Sequence, residues 1–207
     1  MMASTTHCLK NPRPSWLAWL LALVLCSMAG GAVGAAGAPE LKVERIDDGL
    51  WLTTALNLEL PGVVEDALLK GIPIYFVAEA EVLRERWYWT NRKLSSARRH
   101  LRLTHHPLTR RWRVNVTEGD ASDSVQGLSL NQNFDSVKDA MAAVQRISHW
   151  RIADLADVDP GGRHIVTFRF WLDVTQLPRP LQIGTLGQSD WRISVQSIQA
   201  LPEEGGR

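Results

Sequence analysis

The sequence predicts a mainly β, α+β protein: one antiparallel β-sandwich-like domain with two short helices, following an N-terminal signal peptide. Three observations support this fold class. Apolar and polar residues alternate along several short segments, as they do in strands with one buried face. Turn residues separate these segments, and only two stretches favour a helix. The composition, 45% hydrophobic and 22% charged with a formal net charge of +1, is that of an ordinary globular chain.

The first 38 residues have the three parts of a secretory signal peptide. Lys10 and Arg13 lie in a weakly basic start, an apolar run follows at residues 16–25, and a tract of small residues ends the segment. The apolar run is shorter than the ~20 residues of a comfortable membrane-spanning helix. We therefore predict residues 1–38 as a signal peptide, residues 39–207 as one domain, and a periplasmic location. The alternative is an uncleaved segment that anchors the protein in the membrane.

Both cysteines, Cys8 and Cys26, lie within the predicted signal peptide. The mature chain would therefore have no disulfide, no thiol nucleophile and no cysteine ligand for a metal. We expect such a chain to depend on its hydrophobic core for stability, and about 169 residues are enough to build one.

Strands are predicted from the alternation of side chains. The first is Leu50–Leu60, in which the leucines at even positions share one face and Pro61-Gly62 ends the pattern. Residues 63–70 are compatible with a short helix that stops at Gly71. The remaining strands, which bring the predicted total to seven or eight, include residues 72–83, 94–104, 111–116, 163–174 and 191–198.

The second helix has the clearer signal. Ser136 and Asp139 have the spacing of a capping box. An apolar stripe follows at helical spacing, formed by Val137, Met141, Val144 and Ile147. The sequence therefore predicts a helix that starts after Ser136.

Charge is unevenly distributed along the chain. Between Arg84 and Arg113 there are ten basic residues and one acidic residue, whereas the rest of the chain from Pro39 has 11 basic and 21 acidic residues. Most of the basic residues are arginines, which suit bidentate pairing with phosphate or carboxylate. The candidate binding residues on the predicted hairpin are Arg98, Arg102, Arg111 and Arg113.

Two interpretations of this basic block remain open. The block could form a surface for an anionic partner such as phospholipid headgroups, glycan phosphates or an acidic protein face. Alternatively, Glu79 and Glu81, which share one face of the preceding strand, could neutralise the arginines through cross-strand pairs.

The aromatic triplet Trp87-Tyr88-Trp89 follows the same strand. Trp87 and Trp89 would share a face and could form a stacking platform for a sugar or a partner. Because tryptophan is usually largely buried, we favour a core or sheet-edge position for these side chains over a binding role.

Signals for catalysis or for metal binding are weak. His105 and His106 are adjacent on a predicted strand, so their side chains point to opposite faces and do not easily bind one ion. His149 and His164 stand alone, and the acidic clusters lie beside turn residues or at the chain end. The sequence contains no G-x-S-x-G motif, P-loop or dinucleotide-binding glycine pattern. We therefore predict no enzyme activity, no cofactor and no metal site.

Four segments together resemble a known family. They are Gly71–Val77, Trp87–Trp89, His106–Val114 and Gln176–Gln182. They look like an exported proteobacterial family that is defined as a domain of unknown function (the 4390 type). The resemblance implies a small envelope protein that follows a signal peptide, and it carries no established activity, cofactor or site residue. It also implies a link to envelope signalling, because genes of the family often lie near a two-component sensor kinase.

From these observations we expect a non-enzymatic exported cell-envelope protein, a partner-binding or adaptor module with a basic β-hairpin face. Its partner would be an envelope protein or an anionic surface, and not nucleic acid, from which export separates it. The alternatives are a hydrolase acting on an envelope glycan or lipid, and a purely structural or assembly factor. Two close carboxylates in a cleft, or His100 hydrogen-bonded to an acid, would favour the hydrolase.

Overall fold

The structure, a computed structural model, has two antiparallel sheets. It describes residues 39–88, 90–119, 129–158, 162–185 and 191–201. In this part of the chain there are nine strands, three α-helices and two short 3-10 turns. The predicted mainly β, antiparallel fold class is confirmed. The predicted signal peptide lies outside the described residues, and no described helix is long and apolar enough to cross a membrane.

The smaller sheet has three strands in the order β1-β2-β7. These are β1 (Leu41–Ile46), β2 (Gly49–Ala55) and β7 (Arg146–Asp154). The predicted strand Leu50–Leu60 is confirmed in its first half, where Leu50 and Leu52 are fully buried, but its regular pairing ends at Ala55. Neither β1 nor β7 is among the strands predicted from the sequence.

The larger sheet has six strands in the order β6-β5-β4-β3-β8-β9. Its strands are β3 (Ile74–Arg84), β4 (Arg92–His106), β5 (Arg111–Glu118), β6 (Ser129–Phe134), β8 (His164–Leu172) and β9 (Ser194–Ala200). Consecutive hairpins build the half from β3 to β6, whereas β8 returns from a distant part of the chain to pair with the other edge of β3. This return places β3 in the middle of the sheet.

The helices are α1 (Gly62–Leu69), α2 (Val137–Gln145) and α3 (Arg179–Thr185). The predicted first helix is confirmed as α1, and Gly71 follows it with a φ of +82°, a conformation that glycine adopts without strain. The predicted cap of α2 is also confirmed, since the Asp139 backbone N–H donates to Ser136 Oγ at 3.1 Å. Ile147 was wrongly assigned to this helix. The helix ends at Gln145 and the chain enters β7 directly, so Ile147 is buried as a strand residue.

One hydrophobic cluster lies between the inner face of the larger sheet and the smaller sheet, with α1 and α2 contributing to it. Phe76 and Phe170 stack in this cluster with ring centroids 5.5 Å apart, and Trp150 of β7 is almost fully buried. Ser95 Oγ on β4 donates to the Ile152 carbonyl on β7 at 2.9 Å, which ties the two sheets together. On β4 and β5, the residues that alternate with the buried ones point away from this cluster to the outer face of the sheet. Most of these outward-facing residues are polar or charged.

Candidate functional site

The outer face of the larger sheet brings together side chains that are far apart in the sequence. Strand register places Glu79 of β3 opposite Arg98 on β4 and opposite Arg169 on β8. Further along β4, the register places Arg102 opposite Asn115 on β5. The same face therefore contains two regions of different chemistry, one centred on acidic residues of β3 and one on β4, β5 and β6.

The first region is a set of ion pairs across three strands, which we call the ion-pair ladder. It consists of Glu79, Glu81, Lys93, Arg98 and Arg169. Arg98 Nε donates to one carboxylate oxygen of Glu79 at 2.8 Å, and Arg169 Nη2 donates to the other at 2.6 Å. Glu79 is only 3% exposed, so its carboxylate is largely desolvated. The two arginines supply a hydrogen bond to each of its oxygens. The alternative of cross-strand neutralisation is confirmed for Arg98.

Glu81 extends the ladder by one further row. Lys93 Nζ donates to Glu81 Oε1 at 3.2 Å, and Arg169 Nη2 lies 3.6 Å from Glu81 Oε2. Arg169 thus contacts both glutamates. Two acidic residues are matched by three basic ones, and the charge of this region is largely compensated internally.

The second region is a depression of about 220 Å³ over β4, β5 and β6, which we call the polar concavity. Its lining consists of Arg102, Thr104, His106, Arg113, Asn115 and Asn131. All six side chains carry hydrogen-bond donors, and none is a carboxylate. Within the described residues, no acidic side chain forms an ion pair with Arg102 or Arg113.

Neighbouring polar groups hold the lining in place. Arg113 Nε donates to Asn133 Oδ1 at 3.1 Å, and Asn115 Nδ2 donates to Asn131 Oδ1 at 2.8 Å. The Arg102 guanidinium lies over the ring of Tyr75, 5.6 Å from the centroid, in cation–π geometry. These contacts orient the two guanidinium groups and leave their positive charge without a neutralising partner among these residues.

The four predicted hairpin arginines separate into three environments. Arg102 and Arg113 come together in the polar concavity, whereas Arg98 belongs to the ion-pair ladder. Arg111 lies outside both, and its Nη2 is 3.7 Å from the exposed carboxylate of Asp135. Arg99 points inward from β4, where it pairs with Glu118 and lies 5.1 Å from the ring centroid of Trp150.

The aromatic triplet lies in the connection between β3 and β4. Trp87 is 93% exposed and Tyr88 is 67% exposed, and their rings meet edge to face with centroids 5.0 Å apart. The core or sheet-edge position that we favoured is therefore wrong for Trp87, because this residue lies in the connection between the two strands and its ring is almost fully exposed. Trp89 lies outside the described residues.

The histidines and acidic residues take separate positions. His105 points inward and contacts Trp112, with ring centroids 4.5 Å apart, while His106 points outward into the polar concavity. This confirms that the adjacent histidines face opposite sides of the strand. His100 Nε2 has no hydrogen-bond partner among the described residues. Nor does that part of the chain bring three or more histidine, cysteine, aspartate or glutamate side chains together as a metal-binding group.

Several residues of both regions were not predicted from the sequence. Arg169 lies 90 residues from Glu79, outside the basic block, and only the pairing of β8 with β3 brings it into the ladder. Asn131 belongs to β6, a strand that was not predicted. The alternation of Asn131 and Asn133 with Leu130, Gln132 and Phe134 is the signal that could have located this strand.

The comparisons with known proteins identify the family of this chain. Residues 37–200 match the family described as Domain of unknown function (DUF4390), and the chain belongs to that family. This confirms the resemblance of the four sequence segments. No curated protein and no solved structure matches the sequence.

Proposed function

We propose that this member of the family is a non-enzymatic, exported cell-envelope protein that binds an acidic group of a partner protein through the polar concavity. One observation carries the proposal. Six side chains that carry hydrogen-bond donors line the concavity and none is a carboxylate, while Glu79 and Glu81 of the same sheet face are already paired in the ion-pair ladder.

The chemistry of the lining suits an anion. A guanidinium presents its N–H groups in a planar fork that pairs with two oxygens of a carboxylate or phosphate. Arg102 and Arg113 supply two such groups, and the Thr104 hydroxyl adds an uncharged hydrogen-bond donor. A neutral ligand would leave both charges uncompensated, so an anionic ligand gains most from this site.

The size of the concavity favours a group presented by a larger molecule. Its volume of about 220 Å³ is below the 300–1,000 Å³ typical of pockets that enclose a small-molecule ligand. One carboxylate or phosphate fits, and the surrounding exposed strands are available for further contacts. This supports a partner-binding or adaptor role, in which an acidic side chain of the partner occupies the concavity.

Export and the periplasmic location are part of the same proposal. Their support is the charged start, apolar run and small-residue tract of residues 1–38. An acidic envelope protein would meet the concavity in that compartment, with nucleic acid absent.

The proposal can be tested by crosslinking in intact cells followed by purification of the tagged protein. The double variant R102Q/R113Q removes both charges of the concavity, and R146Q removes an exposed arginine of the smaller sheet as a matched control. We expect the double variant to lose a specific crosslinked partner that the wild type and R146Q retain. The same crosslinked partners in R102Q/R113Q and in the wild type would overturn the proposal.

A further inference from the structure

The β3–β4 connection has an unusual surface. We define the aromatic tip as residues 86–88 and 90–92. Every tip residue with a described side chain is exposed, and Trp87 and Tyr88 are the two large aromatic ones. Because tryptophan normally buries most of its surface on folding, a ring that is 93% exposed at the end of a hairpin is available for contact with something outside this chain.

Among the described residues, the unpaired charges around the two rings are positive. Arg86 and Arg92 flank them and are exposed, and neither forms an ion pair with any described residue. The neighbouring acid, Glu85, is already engaged, since its Oε2 lies 3.5 Å from Nε of Arg163. The tip therefore combines amphipathic aromatic rings with two available guanidinium groups.

We propose that the aromatic tip docks on the surface of an anionic phospholipid bilayer. Tryptophan and tyrosine rings settle at the level of the headgroups, where the apolar part of the ring contacts acyl chains and its polar atom stays hydrated. Arginines beside them pair with lipid phosphates and gain from the negative surface potential. A neutral glycan could stack on the rings, but it would leave both arginines without partners.

The position of the tip is compatible with simultaneous binding at the polar concavity. The tip ends at Arg92, the first residue of β4, whereas Thr104 and His106 lie near the end of that strand. With a rise of about 3.3 Å per residue, the 12 residues from Arg92 to Thr104 span roughly 40 Å. A protein docked by its tip would thus hold the concavity away from the lipid, facing a soluble partner. The tip proposal does not depend on the function proposed for the concavity.

Vesicle sedimentation with the full chain tests this docking. The probes are vesicles of phosphatidylcholine alone and vesicles that contain phosphatidylglycerol, at low and at physiological salt. The variants are W87A/Y88A, which removes the rings of Trp87 and Tyr88, and R86Q/R92Q, which removes the charges of Arg86 and Arg92. The matched controls are L108A, which truncates a fully exposed leucine at the turn between β4 and β5, and R146Q. Because every protein carries the same N-terminal segment, differences between variants report on the tip.

We expect the wild type and both controls to bind phosphatidylglycerol vesicles and to bind less at higher salt. Each tip variant should bind them on the order of tenfold more weakly. R102Q/R113Q should bind like the wild type, which separates this proposal from the function of the concavity.

Two results would overturn the docking proposal. One is equal vesicle binding by the wild type and by W87A/Y88A and R86Q/R92Q. The other is a loss of vesicle binding in R102Q/R113Q with the tip variants unaffected, which would assign the lipid to the concavity instead.

Discussion

The ion-pair ladder and the polar concavity lie on the same face of the same sheet, and β4 contributes arginines to both. What differs is the strand that faces each arginine. Arg98 faces Glu79 on β3, whereas Arg113 of β5 faces Asn133 on β6. The same residue type therefore stabilises the fold in one region and remains available for a ligand in the other. The residue that the neighbouring strand places opposite each arginine therefore determines its role. Membership of the basic block in the sequence does not.

The two regions also differ in burial. Glu79 in the ladder is 3% exposed, so its charge has lost most of its water and depends on Arg98 and Arg169. The arginines of the concavity are exposed, and water can solvate them when no ligand is bound. We therefore expect substitutions in the ladder to change stability and substitutions in the concavity to change binding.

The largest effect is expected from R98Q/R169Q, which removes both guanidinium partners of the buried Glu79 carboxylate. Loss of the partner of a buried charge costs about 3–5 kcal/mol, and since both arginines are roughly half exposed we expect the lower end of that range. Urea denaturation of the purified protein measures the change in the free energy of unfolding.

A third substitution serves as the control for that experiment. Adding E79Q to R98Q/R169Q removes the unpaired charge, so the triple variant should recover much of the lost stability. If the triple variant is no more stable than the double variant, the buried charge is not the source of the loss.

A smaller effect is expected from N131D, which places a carboxylate in the polar concavity with almost no change in shape. The new carboxylate should form ion pairs with the nearby guanidinium groups, as the glutamates of the ion-pair ladder do, and so compete with an anionic ligand. We expect the affinity for inorganic phosphate to fall about tenfold, equivalent to about 1.4 kcal/mol. Isothermal titration calorimetry measures the affinity for phosphate. The matched control is N57D, which adds the same charge at an exposed position outside the larger sheet. An equal loss of affinity in N57D would point to net charge rather than to the concavity.

The smallest effect is expected from R102Q/R113Q on stability. Both side chains are exposed and have no ion-pair partner among the described residues, so the free energy of unfolding should change by no more than about 0.5 kcal/mol per substitution. Urea denaturation of R102Q/R113Q and R98Q/R169Q under the same conditions compares their free energies of unfolding directly. Destabilisation equal to that of R98Q/R169Q would assign a structural role to the concavity as well.

The sequence predicted the parts of the fold that have a strong local signal. Strand β8 was recognisable because Phe168 and Phe170 alternate with outward-facing residues, and α2 because Ser136 caps it. Strand β7 was missed because Ile147 continues the apolar spacing of the preceding helix, although the chain changes to extended conformation at Arg146. Local periodicity does not determine where a helix gives way directly to a strand.

The site was predictable only in part, because strand order is a property of the whole chain. The pairing of Glu79 with Arg98 could be foreseen, since β3 and β4 form a hairpin. The contribution of Arg169 could not, because it requires β8 to return beside β3. Likewise, no local feature of Arg113 indicated that the strand beside it would present Asn133 rather than an acid.

The most direct test of the division between the two regions is an NMR titration of the isotope-labelled protein with inorganic phosphate. We predict that the backbone amides of β4, β5 and β6 around Arg102, Arg113 and Asn131 shift in a saturable way. Those around Glu79 and Arg98 should not shift, and R102Q/R113Q should abolish the response. Shifts spread equally over both regions, or a saturable response that persists in R102Q/R113Q, would contradict the assignment of the polar concavity as the anion-binding site.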